Sequence, residues 1–200
     1  MQKLQSFTWF IILPLLSYFL LFSLYSYPAI FYFSSRLFAD TNDGLVHFWN
    51  LWWIQKSVLD IHSSIWWTNY LYFPEGVSLY AHSLNPYNGF VILPLTSFLT
   101  LIQSYNLIVI ASFILSGFTT YILSLHLTKN SPASIISGFI FAFSSYRFAH
   151  TEGHMELIST QWLPLFVFFI LKYTLKPSIR YAIGLAVTLF LNLVCTPYYF

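Results

Sequence analysis

Charge is what this sequence of 200 residues has least of. Eight Lys/Arg and six Asp/Glu make up 7% of the chain, against about 25% in ordinary soluble domains. So few charges cannot solvate a globular surface, and the excess of apolar residues rules out a disordered chain. A nucleic-acid partner is excluded as well, because phosphate neutralisation needs a basic patch. Cysteine is scarcer still. Cys195 stands alone, which excludes a disulfide scaffold and a cysteine-based zinc site, and it reads as a small buried hydrophobe. There is no internal repeat and no Gly/Ser linker. What the chain does have is 58% hydrophobic residues, 22% aromatics and a mean hydropathy of +0.68. The class left standing is an all-α, polytopic bundle of transmembrane helices, with the lipid bilayer as its main partner.

The apolar runs predict about five spans, at 7–33, 104–128, 132–146, 157–171 and 181–200. The first is too long for a signal-peptide core, and no small-residue cleavage site follows it, so it reads as retained. The last reaches Phe200 without a polar cap. The sequence therefore reads as the N-terminal portion of one longer transmembrane domain. The stretch 86–102 is apolar but interrupted by proline, and could either cross the membrane or lie at its surface. The positive-inside rule arbitrates. If 86–102 does not cross and the N-terminus is cytoplasmic, Lys3, Lys129, Lys172, Lys176 and Arg180 lie inside. If it does cross, only Lys3 and Arg147 stay inside. The first arrangement is preferred. It places the chain in the plasma (inner) membrane with its working face periplasmic or extracellular. It also puts all six acids and every histidine except His126 on the outer side.

Two outer loops then carry the chemistry. In the long one, 34–103, the run from Asp43 to Asp60 has the period of an amphipathic helix. At about 100° per residue, Asp43, His47, Asn50 and Ser57 share a stripe broken only by Ile54, opposite Leu45, Phe48, Trp49, Trp52 and Leu59. Such a helix is expected to lie flat at the headgroup boundary with its polar stripe turned to water. Asp43 also fits a helix N-cap, as the aspartate of Thr41-Asn42-Asp43-Gly44. The short loop reads Tyr-Arg-Phe-Ala-His-Thr-Glu-Gly-His-Met-Glu from Tyr146 to Glu156 and is the densest ionisable cluster. His150 and His154 are four residues apart, as are Glu152 and Glu156. Either pair could grip a metal if the segment were helical, while the His-Glu-x-x-His order of zinc proteases is absent. The alternative is plain charge balance, with Arg147 against Glu152.

This layout resembles the GT-C superfamily of membrane glycosyltransferases, and within it the bacterial relatives of protein O-mannosyltransferases and aminoarabinose transferases. The likeness is carried by Asp40-Thr41-Asn42-Asp43-Gly44, the helix to Asp60, Asn85-Pro86-Tyr87, and the stretch from Tyr146 to Pro164. It departs from the family in lacking an adjacent Asp-Glu pair and in having only Pro86 where two prolines are usual. The resemblance implies transfer of a sugar from a polyprenyl-phosphate donor to an acceptor on the non-cytoplasmic face. Asp43 would be the general base, with Asp40 as the alternative. His47, Asn50, Arg147 and His150 would bind substrate, and a divalent metal could be held by Glu152, His154 and Glu156. A polyprenyl-lipid flippase or small-solute transporter is the competing class. It needs polar groups near the membrane midplane, and the five spans hold no charge in their interiors.

Overall fold

The computed structural model describes residues 2–199, with side chains from residue 9 onward except at 197. The side chain of Lys3 and the terminal Phe200, both used in the span assignment, lie outside what is described. Among the described residues the chain is helical in its structured elements, including a π-helical turn at Lys56–Ile61, apart from one antiparallel pair of two-residue strands. Its helices are α1 (Gln2–Tyr25), α2 (Asp43–Gln55), α3 (Pro86–Leu95), α4 (Leu101–Thr128), α5 (Ser131–Ala142), α6 (Ser145–Thr151), α7 (Met155–Ile158), α8 (Trp162–Leu175) and α9 (Ile179–Cys195). Between α2 and α3, β1 (Trp67–Thr68) pairs antiparallel with β2 (Val77–Ser78).

Local chemistry sets the ends of these helices. Thr100 accepts from the Gln103 amide while the Gln103 side chain accepts from the Thr100 amide, a reciprocal cap that starts α4. Asn85 caps α3 and Asn130 caps α5, each with a proline in the first turn where its missing N–H costs nothing. Lys129 adopts the left-handed conformation that closes α4. Pro28 cannot continue α1, which stops at Tyr25, well short of the 7–33 span expected from hydropathy.

α4 is the axis of the fold. At 28 residues it is about 42 Å long, and α1, α5 and α8 all pack on it. The turn at Lys129–Asn130 folds α5 back along α4, with Ser124 donating to Ser137 across the pair at 3.1 Å. Tyr18 of α1 is fully buried in the notch between them and donates to the Ile135 carbonyl at 3.1 Å. The notch exists because position 138 is glycine; a Cβ there would collide with the Tyr18 ring and the Gly117 carbonyl. Small residues give helices this closeness where lipid supplies no hydrophobic drive.

Two helical stretches are long and apolar enough to cross a membrane, α4 and the run Met155–Leu175. The second contains a break at residues 159–161, between α7 and α8. Trp9–Tyr25, α5 and α9 are apolar but shorter. The stretch 86–102 is divided between α3, only about 15 Å long, and the start of α4. α3 is not among the helices long and apolar enough to cross a membrane. α3 packs instead on α2, α4 and α9. The segments before α4 and after α5 meet where the Asp40 amide bonds the Glu152 carbonyl, while the His126 ring against Phe168 brings the end of α4 beside α8.

Candidate functional site

At the loop end, the two polar loops are joined. The Asp40 amide donates to the Glu152 carbonyl. Gly44 packs so closely here that a Cβ would meet Ala39 and the Glu152 carbonyl. Asp40, rather than Asp43, serves the helix start. Its Oδ1 accepts from the amides of Asn42 (3.1 Å) and Gly44 (2.7 Å). That occupies Asp40 and leaves the Asp43 carboxylate free to face the second loop, where Oδ2 lies 3.5 Å from His154 Nε2.

The polar stripe of α2, continued by Ser57 just past its end, forms as its spacing predicts, but only Asp43 faces out and the rest points inward. His47, Asn50 and Ser57 are all buried. His47 Nε2 lies 2.8 Å from Glu156 Oε2, an ion-pair contact made off the hydrogen-bonding axis, and the other ring nitrogen of His47 has no partner. Asn50 Nδ2 donates to the Ser83 carbonyl at 2.9 Å, and its Oδ1 sits 2.7 Å from His82 Nε2. Burial, and then the neighbouring His47, hold the His82 imidazole below its ordinary pKa. The expectation of a helix lying flat with its polar face in water is corrected here. α3 and the segment before it cover that stripe and supply its partners. On another side of the helix, Trp49 stacks on the buried Trp53, and Trp52 meets the exposed Tyr70 edge-on.

A cleft of about 500 Å³ opens over this cluster, walled by Asp43, His47, His154, Glu156, Tyr146 and Tyr199 among others. Tyr199 donates to the Leu157 carbonyl at 2.5 Å, and its oxygen lies 3.2 Å from that of Tyr146. A second, mostly apolar cleft of about 490 Å³ lies alongside, between Trp66, Tyr80, His82, Asn85 and the end of α9. Ser83, Glu156 and Tyr198 line both. Glu156, with Ser83 and Tyr198, thus separates a chamber of mixed polarity from a mostly apolar one.

Several expected site residues stand elsewhere. Arg147 is turned into the bundle and only 1% exposed. It donates to Ser116 Oγ (2.6 Å), Ser112 Oγ (3.0 Å) and Thr160 Oγ1, with its guanidinium 4.4 Å from the Phe113 ring centre. It faces neither Glu152 nor a cleft, so the expected phosphate contact is not available to it. Its unpaired charge is offset by hydroxyls and an aromatic face instead. Asn50 is consumed by structural hydrogen bonds. His150 packs between Tyr146 and His154, with ring centres at 4.4 and 5.1 Å, and lines neither chamber. The expected metal set also separates. Glu152 lines a cleft on the far side, His154 turns to Asp43, and Glu156 turns to His47. Among the described residues, no three His, Cys, Asp or Glu side chains are placed to hold a metal ion. His82, Tyr146 and Tyr199 join the site without having been expected there. His82 lies in an aperiodic loop, and Tyr199 is brought in by the turn after α9.

Compared with protein-family models, curated proteins and solved structures, the chain matches none.

Proposed function

We propose that this chain is the catalytic face of a polytopic membrane enzyme that transfers a sugar from a polyprenyl-phosphate donor to a hydroxyl acceptor on the non-cytoplasmic side. The observation that carries the reading is the paired chamber around Glu156. A cleft of mixed polarity with Asp43, His47 and His154 adjoins a mostly apolar cleft walled by Trp66, Leu193 and Val194. A lipid-linked sugar has the same two halves. In this reading five helical segments cross the bilayer, the shorter ones completed by their flanking turns.

Asp43 takes the proton from the acceptor hydroxyl as its oxygen attacks the anomeric carbon. The bond from that carbon to the donor phosphate breaks, and the phosphate leaves with the electron pair. His154, beside Asp43, holds the base in place. The apolar chamber takes the proximal isoprenoid units and keeps water from the sugar cation.

The test uses proteoliposomes carrying a radiolabelled polyprenyl-phosphate hexose. Asp43→Asn is expected to lower label transfer at least about a hundredfold, the scale of lost general-base catalysis, with expression and folding retained. Transfer at the unmodified rate would overturn the assignment. Cysteines placed at Glu75 and Ala149 should both label from outside, and one at Lys176 only after permeabilisation.

The second reading is a lipid flippase or solute transporter. It is favoured by one observation, the Arg147 charge held against Ser112 and Ser116 within the bundle. A transport site, however, needs a path to that charge, and Arg147 lines none of the clefts described above.

A further inference from the structure

A third cleft, of about 590 Å³, opens on the opposite side of the junction between the two loops. Its walls are apolar for most of their length, from Phe22 and Val109 to Leu37 and Phe38. Arg36, Asp40 and Glu152 also line it. In a chain with so few charges, three on one apolar cleft need a reason. They do not neutralise one another. Among the described residues, none of the three forms an ion pair with another side chain. Arg36 is held over the Tyr32 ring, 4.2 Å from its centre. Asp40 uses Oδ1 on backbone amides, and Glu152 is exposed.

Tyr25 and Tyr32, which line the cleft, are 51% and 41% exposed, and Tyr27 and Phe31 in the same turn are 70% and 76% exposed. Such a cluster of exposed aromatics at the end of an apolar helix marks the headgroup level of a membrane. A ligand complementary to this cleft has apolar chains, an anion for the guanidinium and a hydrogen-bond-donating cation for the two carboxylates. A lipid carrying only an anion would leave both acids facing it, and a quaternary ammonium has no N–H to give them.

We propose that this cleft binds one aminophospholipid, with its phosphate on Arg36, its primary ammonium between Asp40 and Glu152, and the upper part of its chains along Phe22, Leu37 and Phe38. The assignment rests on the membrane placement proposed above and is independent of sugar transfer.

The test is native mass spectrometry of the full chain released from nanodiscs containing equal amounts of phosphatidylethanolamine, phosphatidylglycerol and phosphatidylcholine. The unmodified chain should retain one phosphatidylethanolamine in preference to the other two. Arg36→Gln and Glu152→Gln should each lower that retention about tenfold, the scale of one charge-assisted hydrogen bond. Both positions are exposed, so both variants should fold, as circular dichroism would verify; the lipid preference of the unmodified chain is a test without any substitution. Retention of phosphatidylglycerol or phosphatidylcholine equal to that of phosphatidylethanolamine would overturn the proposal, as would unaltered retention in the two variants. Asp43→Asn should keep the lipid while losing transfer, so failure of the transferase reading and failure of this one are separately visible.

Discussion

The helix starting at Asp43 supplies His47 to one polar pair, with Glu156, and its π-helical continuation, Lys56–Ile61, holds both members of another, Lys56–Asp60; the two have the same separation, 2.8 Å, in opposite surroundings. His47–Glu156 has 5% of each side chain exposed, while Lys56–Asp60 has 32% and 57%. The exposed pair is a single-turn contact in which the hydrogen bond to Asp60 raises the Lys56 pKa. Water competes for both of its partners, so its net worth is small. The buried pair joins residues more than a hundred positions apart and pins the second loop to the first. Removing one partner there strands the other without water. Distance alone does not rank the two; solvent does.

Arg147 extends the comparison to a buried charge with no carboxylate at all. Arg147→Ala would leave a cavity beside Phe113 and strand the hydroxyls of Ser112, Ser116 and Thr160, with an expected loss of about 3–5 kcal/mol. The measurement is a denaturation midpoint in nanodiscs. A loss no larger than that of an exposed substitution would show that the hydroxyl cage is not a structural centre. Glu156→Ala should cost about 2–4 kcal/mol by the same measure, since it leaves His47 buried with neither nitrogen partnered. Acid provides a gentler probe of the same buried cluster. The His82 pKa is depressed in the folded chain, so the unfolded chain takes up protons first as pH falls. Stability should therefore decline as pH drops below about 6.5, the ordinary histidine value, and level off below the folded value. The smallest effect is expected from Lys56→Ala, with a midpoint indistinguishable from that of the unmodified chain; a clear drop would show that the exposed pair is worth as much as the buried one.

Particular residues show how far the sequence could be read. α4 was legible because a long charge-free run needs no partner to declare itself. The break of 86–102 into α3 and the start of α4 was legible in its prolines and in the capping pattern at Thr100 rather than in its hydropathy. The spacing of Asp43, His47, Asn50 and Ser57 correctly put them on one stripe. The direction of that stripe was misread, because periodicity says which residues share a face and not what covers it. Asp43 and Asp40 exchanged the helix-start role for a similar reason. Either aspartate satisfies the local pattern, and the choice depends on the Glu152 carbonyl and Gly44 brought against them. Arg147 was the largest misreading. Its neighbours in sequence are ionisable, but its neighbours in space are Ser112, Ser116 and Thr160, which hydropathy counts as parts of apolar segments.

By itself, the sequence determined the helical class, the axis of the bundle and the gathering of acids into two loops. These follow from transfer free energy and period, which are sums over neighbouring residues. Only the tertiary structure decided that the loops close on one another, that Glu156 meets His47, that Arg147 is interior and that Glu152 lines a different cleft from Glu156. Each of those facts depends on which chain-distant group occupies the last few ångströms, where hydrogen bonds and desolvation act and where no local pattern reaches.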